Sequence, residues 1–247
     1  MNKNGCCGGD MNFEEMDCCG HDQTCEYDCD CGCGDDCCSE HEDFEFAASL
    51  VARCAPDFTA PAVLGNGQIV EEYNLYENID GKYALILFYP LDFTFVCPSE
   101  LIALNNKKAE FKKRGIEVIT VSIDSQFTHN AWRNTSVNCG GIGNVYYTMV
   151  ADISHSIMQS YGVEHPTAHV ALRGAFIIDR HGKVRSQIIN DLPIGRNIDE
   201  IIRLFDAIEF VEKHGEVCPA NWREGDAGMQ ATAEGVADYL SKHNTKL

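Results

Sequence analysis

Seven consecutive apolar residues, 83–89, run without a break into Pro90-Leu91-Asp92-Phe93-Thr94-Phe95-Val96-Cys97-Pro98. A segment that is apolar at every position, rather than at every second one, suits a strand covered on both faces. Such a strand needs helices layered above and below it, which points to an α/β architecture. The rest of the chain agrees. Residues 116–123 read as a second strand and 148–151 as a short third one. Helices are expected over 98–114, with Gly115 past the end, over 126–135, and near 155–161. Gly65-Asn66-Gly67 marks a hairpin-type turn within 63–70, and His181-Gly182 joins strands at 175–178 and 184–189. Asn197 followed by Glu200 forms a capping-box pattern, opening a long helix with Ile198, Ile201, Ile202, Phe205 and Ile208 along one face. Strands alternating with helices predict a central sheet flanked by helices.

The turn after residues 83–89 places one thiol, Cys97, where a helix begins. Backbone N–H groups at a helix start stabilise an anion, and the thiolate is the attacking form of a cysteine. An ordinary cysteine is roughly 3% thiolate at neutral pH, so complete ionisation gains about 30-fold, or roughly 2 kcal/mol of barrier. An enzyme needs more: groups that orient the substrate and stabilise charge on the leaving atom. Thr94 offers a hydroxyl one turn earlier, and a distant arginine can supply fixed positive charge. A lone cysteine is otherwise a small buried hydrophobe. Dithiol chemistry of the C-x-x-C kind is excluded at this position, because the residue three places on is Glu100.

Pro90, Thr94 and Cys97 reproduce the Pro-x-x-x-Thr-x-x-Cys pattern, and the segment resembles the peroxidatic motif of the peroxiredoxins. Three further blocks, in order, are similar to that family. They are Leu172-Arg173-Gly174-Ala175-Phe176-Ile177-Ile178-Asp179, Asn190-Asp191-Leu192-Pro193-Ile194-Gly195-Arg196 and His214-Gly215-Glu216-Val217-Cys218-Pro219-Ala220-Asn221-Trp222. The last resembles the resolving-cysteine segment of the typical 2-Cys subfamily, and the likeness spans about residues 51–245.

The resemblance implies a thioredoxin-like fold and peroxide reduction by a thiolate, with no metal or cofactor. It implies that Cys97 becomes a sulfenic acid, the first and reversible step of thiol oxidation. Arg173 would favour the thiolate and hold the peroxide. Thr94 would hydrogen-bond the incoming oxygen, and Pro90 would shield the sulfenic acid from water. Glu100 matches an acidic residue that pairs with arginines, and Arg196 a supporting arginine. Cys218 would resolve the sulfenic acid of a partner subunit in a head-to-tail homodimer. Five such dimers form a decamer in many members, and thioredoxin or a similar dithiol protein restores the thiols. Taken singly, Arg173 and Arg196 are also possible surface charges, and Thr94 a helix cap.

Residues 1–46 differ in composition from the rest. They hold ten of the fourteen cysteines, and fourteen carboxylates against Lys3 alone, so they carry −13 of the net −19. With few aliphatic residues such a segment cannot bury enough surface to fold alone, and it is expected to be a disordered extension. Its Cys pairs and the Cys29-x-Cys31-x-Cys33 run suit soft metals, sacrificial thiol chemistry or an inert solvated extension. Similar cysteine-rich extensions occur on peroxiredoxins of some anaerobic protists. Residues 47–210 are expected to form the thioredoxin-like domain, and 211–247 a C-terminal segment bearing Cys218.

The charge argues against a nucleic-acid partner and against anionic membranes. No apolar run reaches the roughly 20 residues of a membrane span, and no secretory leader is visible. Abundant cysteine without a leader suggests thiols rather than structural disulfides, with the cytoplasm as compartment. Cys54 and Cys139 read as ordinary thiols, and His165 and His169 as parts of a solvated loop. Gly140-Gly141-Ile142-Gly143 resembles a loop of overoxidation-sensitive family members. Their C-terminal Tyr-Phe pair is here Tyr239-Leu240, which predicts intermediate sensitivity. Two other functions compete with the peroxidase: a chaperone-like holdase, and a metal-binding or sensing protein that works through residues 1–46.

Overall fold

The structure, a computed structural model, describes residues 49–246. The acidic cysteine segment, with its expected disorder and its three possible roles, lies outside the described residues. A seven-stranded mixed sheet organises the remainder, with strand order β2-β1-β5-β4-β3-β6-β7. The strands are β1 (Thr59–Val63), β2 (Ile69–Asn74), β3 (Tyr83–Phe88), β4 (Ile116–Ser122), β5 (Thr148–Ala151), β6 (Arg173–Ile178) and β7 (Val184–Asn190). The centre, β3-β4-β5, is parallel, and antiparallel strands close both sides. This is the thioredoxin-like arrangement expected of the sequence.

β3 shows why every one of its residues is apolar. Tyr83, Leu85 and Leu87, with Tyr89 beyond its end, enter one core cluster; Ala84, Ile86 and Phe88 enter a second. Adjacent side chains on a strand point to opposite faces, so burial on both faces removes any polar alternation. Cys97 belongs to the first cluster, beside Leu101, Trp132 and Ile201.

The helices are α1 (Leu75–Ile79), α2 (Cys97–Asn106), α3 (Lys108–Lys113), α4 (Gln126–Asn134), α5 (Ser156–Ser160), α6 (Ile198–His214) and α7 (Ala233–His243). The single helix expected over 98–114 is interrupted at Lys107. Asparagine is a weak helix former, and Asn105 Oδ1 accepts the Tyr146 N–H at 3.2 Å, a tertiary bond within the last turn of α2. The capping box is half made. Asn197 accepts from the N–H groups of Asp199 and Glu200, whereas the Glu200 carboxylate pairs with Arg203. Trp132 donates to the Gly140 carbonyl at 2.9 Å, pinning the glycine-rich loop against α4. A Cβ on Gly141 would collide with the Thr135 backbone, so only glycine fits there.

Candidate active site

The loop from Tyr89 to Val96 leads off the end of β3 and delivers Cys97 to the first turn of α2, with Pro98 next, where a missing N–H costs no helical bond. Cys97 is fully buried. Thr94 Oγ1 lies 2.9 Å from Cys97 Sγ and 2.9 Å from the Leu91 carbonyl. A hydroxyl carries one proton, so it donates to one of these atoms at a time. With a thiol present, the proton goes to Leu91 and the sulfur can donate to Oγ1. With a thiolate or a bound oxygen present, the hydroxyl turns and donates to it.

Arg173 comes from the start of β6. Its Nη1 stands 3.5 Å from Cys97 Sγ and 2.7 Å from Glu100 Oε2, and its Nε donates to the Leu192 carbonyl at 2.6 Å. Gly174 follows it, and a Cβ there would press on Val163 and Phe176. Arg196 is almost wholly enclosed. It donates to both oxygens of Glu100 and to the carbonyls of Phe88 and Gly174. Burial pushes the Glu100 carboxyl up, but the hydrogen bonds and charge of Arg196, with the charge of Arg173, more than reverse this and hold it below its ordinary value. Burial lowers the Arg196 guanidinium against the opposing pull of Glu100. Two guanidiniums face one carboxylate, leaving one positive charge beside Sγ that an anion there neutralises.

Cys97, Thr94, Arg173, Glu100 and Arg196 are therefore brought together, and Pro90 is buried at the start of the same loop. Cys218 sits elsewhere, on the segment after α6. It is half-buried, with Sγ 3.6 Å from the Ala207 carbonyl, and burial raises its thiol against the charge of Arg203. Cys54, Cys97, Cys139 and Cys218 are all free thiols, and Cys54 and Cys139 are exposed. His165 Nδ1 accepts the Ala168 N–H at 3.1 Å, and His169 pairs with Glu164. Among the described residues no group of three His, Cys, Asp or Glu is placed to hold a metal ion. Sequence reasoning missed Asp92 and His129, which are buried and paired beneath the loop. The visible signal was an aspartate inside an otherwise apolar stretch.

Residues 51–187 match the AhpC/TSA family, and residues 207–242 match the C-terminal domain of 1-Cys peroxiredoxin. The chain is a peroxiredoxin of the AhpC/TSA family. It is 54% identical to alkyl hydroperoxide reductase C of Helicobacter pylori over 80% of this chain and 100% of that one. It is 45% identical to peroxiredoxin-2 of Cricetulus griseus over 78% of this chain and 96% of the relative. The crystal structure of reduced Plasmodium vivax 2-Cys peroxiredoxin superposes with a TM-score of 0.75 at 47% identity, covering 78% of this chain and 100% of that one. As a peroxiredoxin it is a thiol-dependent peroxidase. No described helix is long and apolar enough to cross a membrane.

Proposed function

We propose that Cys97 reduces hydrogen peroxide and organic hydroperoxides, and that Cys218 of a second copy resolves the product. The supporting observation is the placement of Cys97 Sγ, fully buried, 2.9 Å from the Thr94 hydroxyl and 3.5 Å from the Arg173 guanidinium. The thiolate attacks the outer peroxide oxygen, the O–O bond breaks, and the leaving oxygen takes a proton to depart as water or an alcohol. Cys97 is left as a sulfenic acid. Arg173 and the Thr94 hydroxyl stabilise charge passing to the oxygens. Glu100 and Arg196 position Arg173, and Pro90 keeps water off the sulfenic acid. The Cys218 thiolate then attacks the sulfenic sulfur and displaces hydroxide, which takes up the proton the thiol released, giving a disulfide and water. Thioredoxin or a similar dithiol protein restores both thiols.

The partner subunit in this reading is a second copy in a head-to-tail homodimer, five of which form a decamer. Phe93, Phe95, Phe127 and Val137 are large apolar side chains left exposed in the isolated chain, which supports self-association. Residues 1–46 form a separate acidic extension, 47–210 the thioredoxin-like domain and 211–247 the resolving segment. The compartment in this reading is the cytoplasm, where thiols are kept reduced.

The test is peroxide consumption coupled to thioredoxin and its reductase. Cys97→Ser and Cys218→Ser are each expected to abolish turnover, with a disulfide-linked dimer on non-reducing gels in wild type alone. Turnover surviving Cys97→Ser would assign the chemistry to another thiol.

A further inference from the structure

Beside Cys218 the surface opens into a groove that the peroxide chemistry does not use. Cys218 Sγ rests 3.6 Å from the Ala207 carbonyl of α6. Phe210 lies three residues further along that helix, a rise of about 4.5 Å. It lines a groove of about 330 Å³. His214 and Trp222 pack on the Phe210 ring, with centroids 4.6 Å and 4.9 Å away. Trp222 follows Cys218 by four residues and is pinned twice. Its carbonyl accepts from Arg203 Nη1 at 2.9 Å, and its indole N–H donates to the Asp226 carbonyl at 3.1 Å. The floor of the groove is therefore aromatic and fixed in place.

The rim is acidic. Glu209, Glu224 and Asp226 line it, opposed by Lys213. Asp206 lines it too, but pairs with Arg114 at 2.6 Å, and Arg114 also stands 3.7 Å from Glu224. Glu209 and Asp226 are exposed. Ile201, Ile202, Phe205 and Ile208 anchor α6 in the core. Glu209, Phe210 and His214 therefore keep their places when the segment bearing Cys218 moves.

We propose that this groove is the docking surface for the dithiol protein that reduces Cys218. The partner sets an apolar side chain against Phe210 and Trp222, and lysine or arginine side chains against the acidic rim. The inference rests on the reading of Cys97 and Cys218 as disulfide partners. An apolar centre supplies affinity, and a charged rim supplies orientation and speed of encounter. Cys218 is half-buried where Cys97 is fully buried, so Cys218 is the sulfur within reach of a second protein. The partner's thiolate attacks Cys218 Sγ, the bond to Cys97 breaks, and Cys97 leaves as a thiolate. The Cys218 segment is then free to return to α6, carrying the partner over the groove. The partner's second thiolate attacks the partner's own sulfur in the mixed disulfide, and Cys218 leaves. The partner ends as a disulfide, two electrons poorer, and the two protons its thiols lost equal those that Cys97 and Cys218 regain.

The test uses the full chain turning over hydrogen peroxide with thioredoxin, its reductase and NADPH, and with dithiothreitol as a second reductant. Glu209→Lys is expected to raise KM for thioredoxin about 3- to 10-fold and to leave the maximal rate within about twofold. Turnover with dithiothreitol, a small uncharged dithiol that needs no docking, should stay within about twofold. Added salt should raise KM more steeply in wild type than in Glu209→Lys, because it screens an attraction that the variant lacks. Phe210→Ala should raise KM about tenfold or more. If that variant does not fold by circular dichroism, Phe210→Leu is read instead, with a rise above about twofold expected. Folded variants that all keep the wild-type KM within about twofold would overturn the docking surface. Variants that slow turnover with dithiothreitol as much as with thioredoxin would overturn it too, as would wild type served by dithiothreitol and not by thioredoxin. Wild type in which peroxide forms no Cys97–Cys218 disulfide would overturn the disulfide reading, and the docking surface with it.

Discussion

The backbone N–H and the side-chain Nε of Arg196 both donate to Oε1 of Glu100 at 2.8 Å, while its Nη2 reaches Oε2 at 3.0 Å. The end of a loop distant in sequence is thereby fixed to the first turn of α2. Glu100, held in this way, in turn aims Arg173 at Cys97. The ion pair therefore orients the guanidinium that stands beside Cys97 Sγ.

Removing one partner from this enclosed cluster leaves a buried charge uncompensated. Arg196→Met is expected to cost about 3–5 kcal/mol of stability. In a domain of this size that lowers Tm by about 6–20 °C, measured by calorimetry. The pH dependence has a fixed sign. Glu100 lies below its ordinary value, so its contribution is present above that value and is lost as pH falls through the folded one. Wild type should hold its fold down through the usual carboxylate range and lose the cluster only below it. Glu100→Gln should lack that acid step.

Thr94 supplies a hydroxyl, not a methyl group, to the sulfur. Thr94→Val is expected to lower kcat/KM for hydrogen peroxide by about 10²–10³, in line with loss of one oriented donor. Thr94→Ser keeps the donor and should stay within about tenfold of wild type, a ratio read by stopped-flow kinetics.

Burial raises the Cys218 thiol, and the charge of Arg203 opposes the rise. Resolution needs the Cys218 thiolate, so its rate should climb with pH beyond the ordinary thiol value of about 8.5. Arg203→Gln removes the opposing charge and should move the profile further upward. Stopped-flow measurement of disulfide formation after one equivalent of peroxide, across pH, checks both.

No residue of α7 is buried within the chain, and Leu240, which the sequence resemblance sets against a second aromatic, is exposed. Leu240→Phe is expected to raise the sulfinic fraction of Cys97 at a given peroxide dose, measured by mass spectrometry. An unchanged fraction would remove Tyr239-Leu240 from any role in overoxidation.

What could be seen in the sequence was local in character. Residues 83–89 displayed two-sided burial in seven adjacent letters, and Cys97 was displayed with Thr94 and Pro90 in one stretch. Arg173 and Arg196 were found only by resemblance, because their approach to Glu100 depends on how β6 and the loop before α6 pack. The Asp92–His129 pair joins residues 37 apart in the chain, and neither carries a pattern that names the other. The break at Lys107 was hidden for the same reason: the Asn105 side chain, in the last turn of α2, accepts from Tyr146, 41 residues away.

The most direct measurement is the site of first oxidation. Reduced Cys218→Ser protein is given one equivalent of hydrogen peroxide with dimedone present, then digested and mapped by mass spectrometry. The account predicts the dimedone adduct on Cys97 alone, lost in a Cys97→Ser partner variant. An adduct on Cys54, Cys139 or a cysteine of residues 1–46, with Cys97 unmodified, would contradict it.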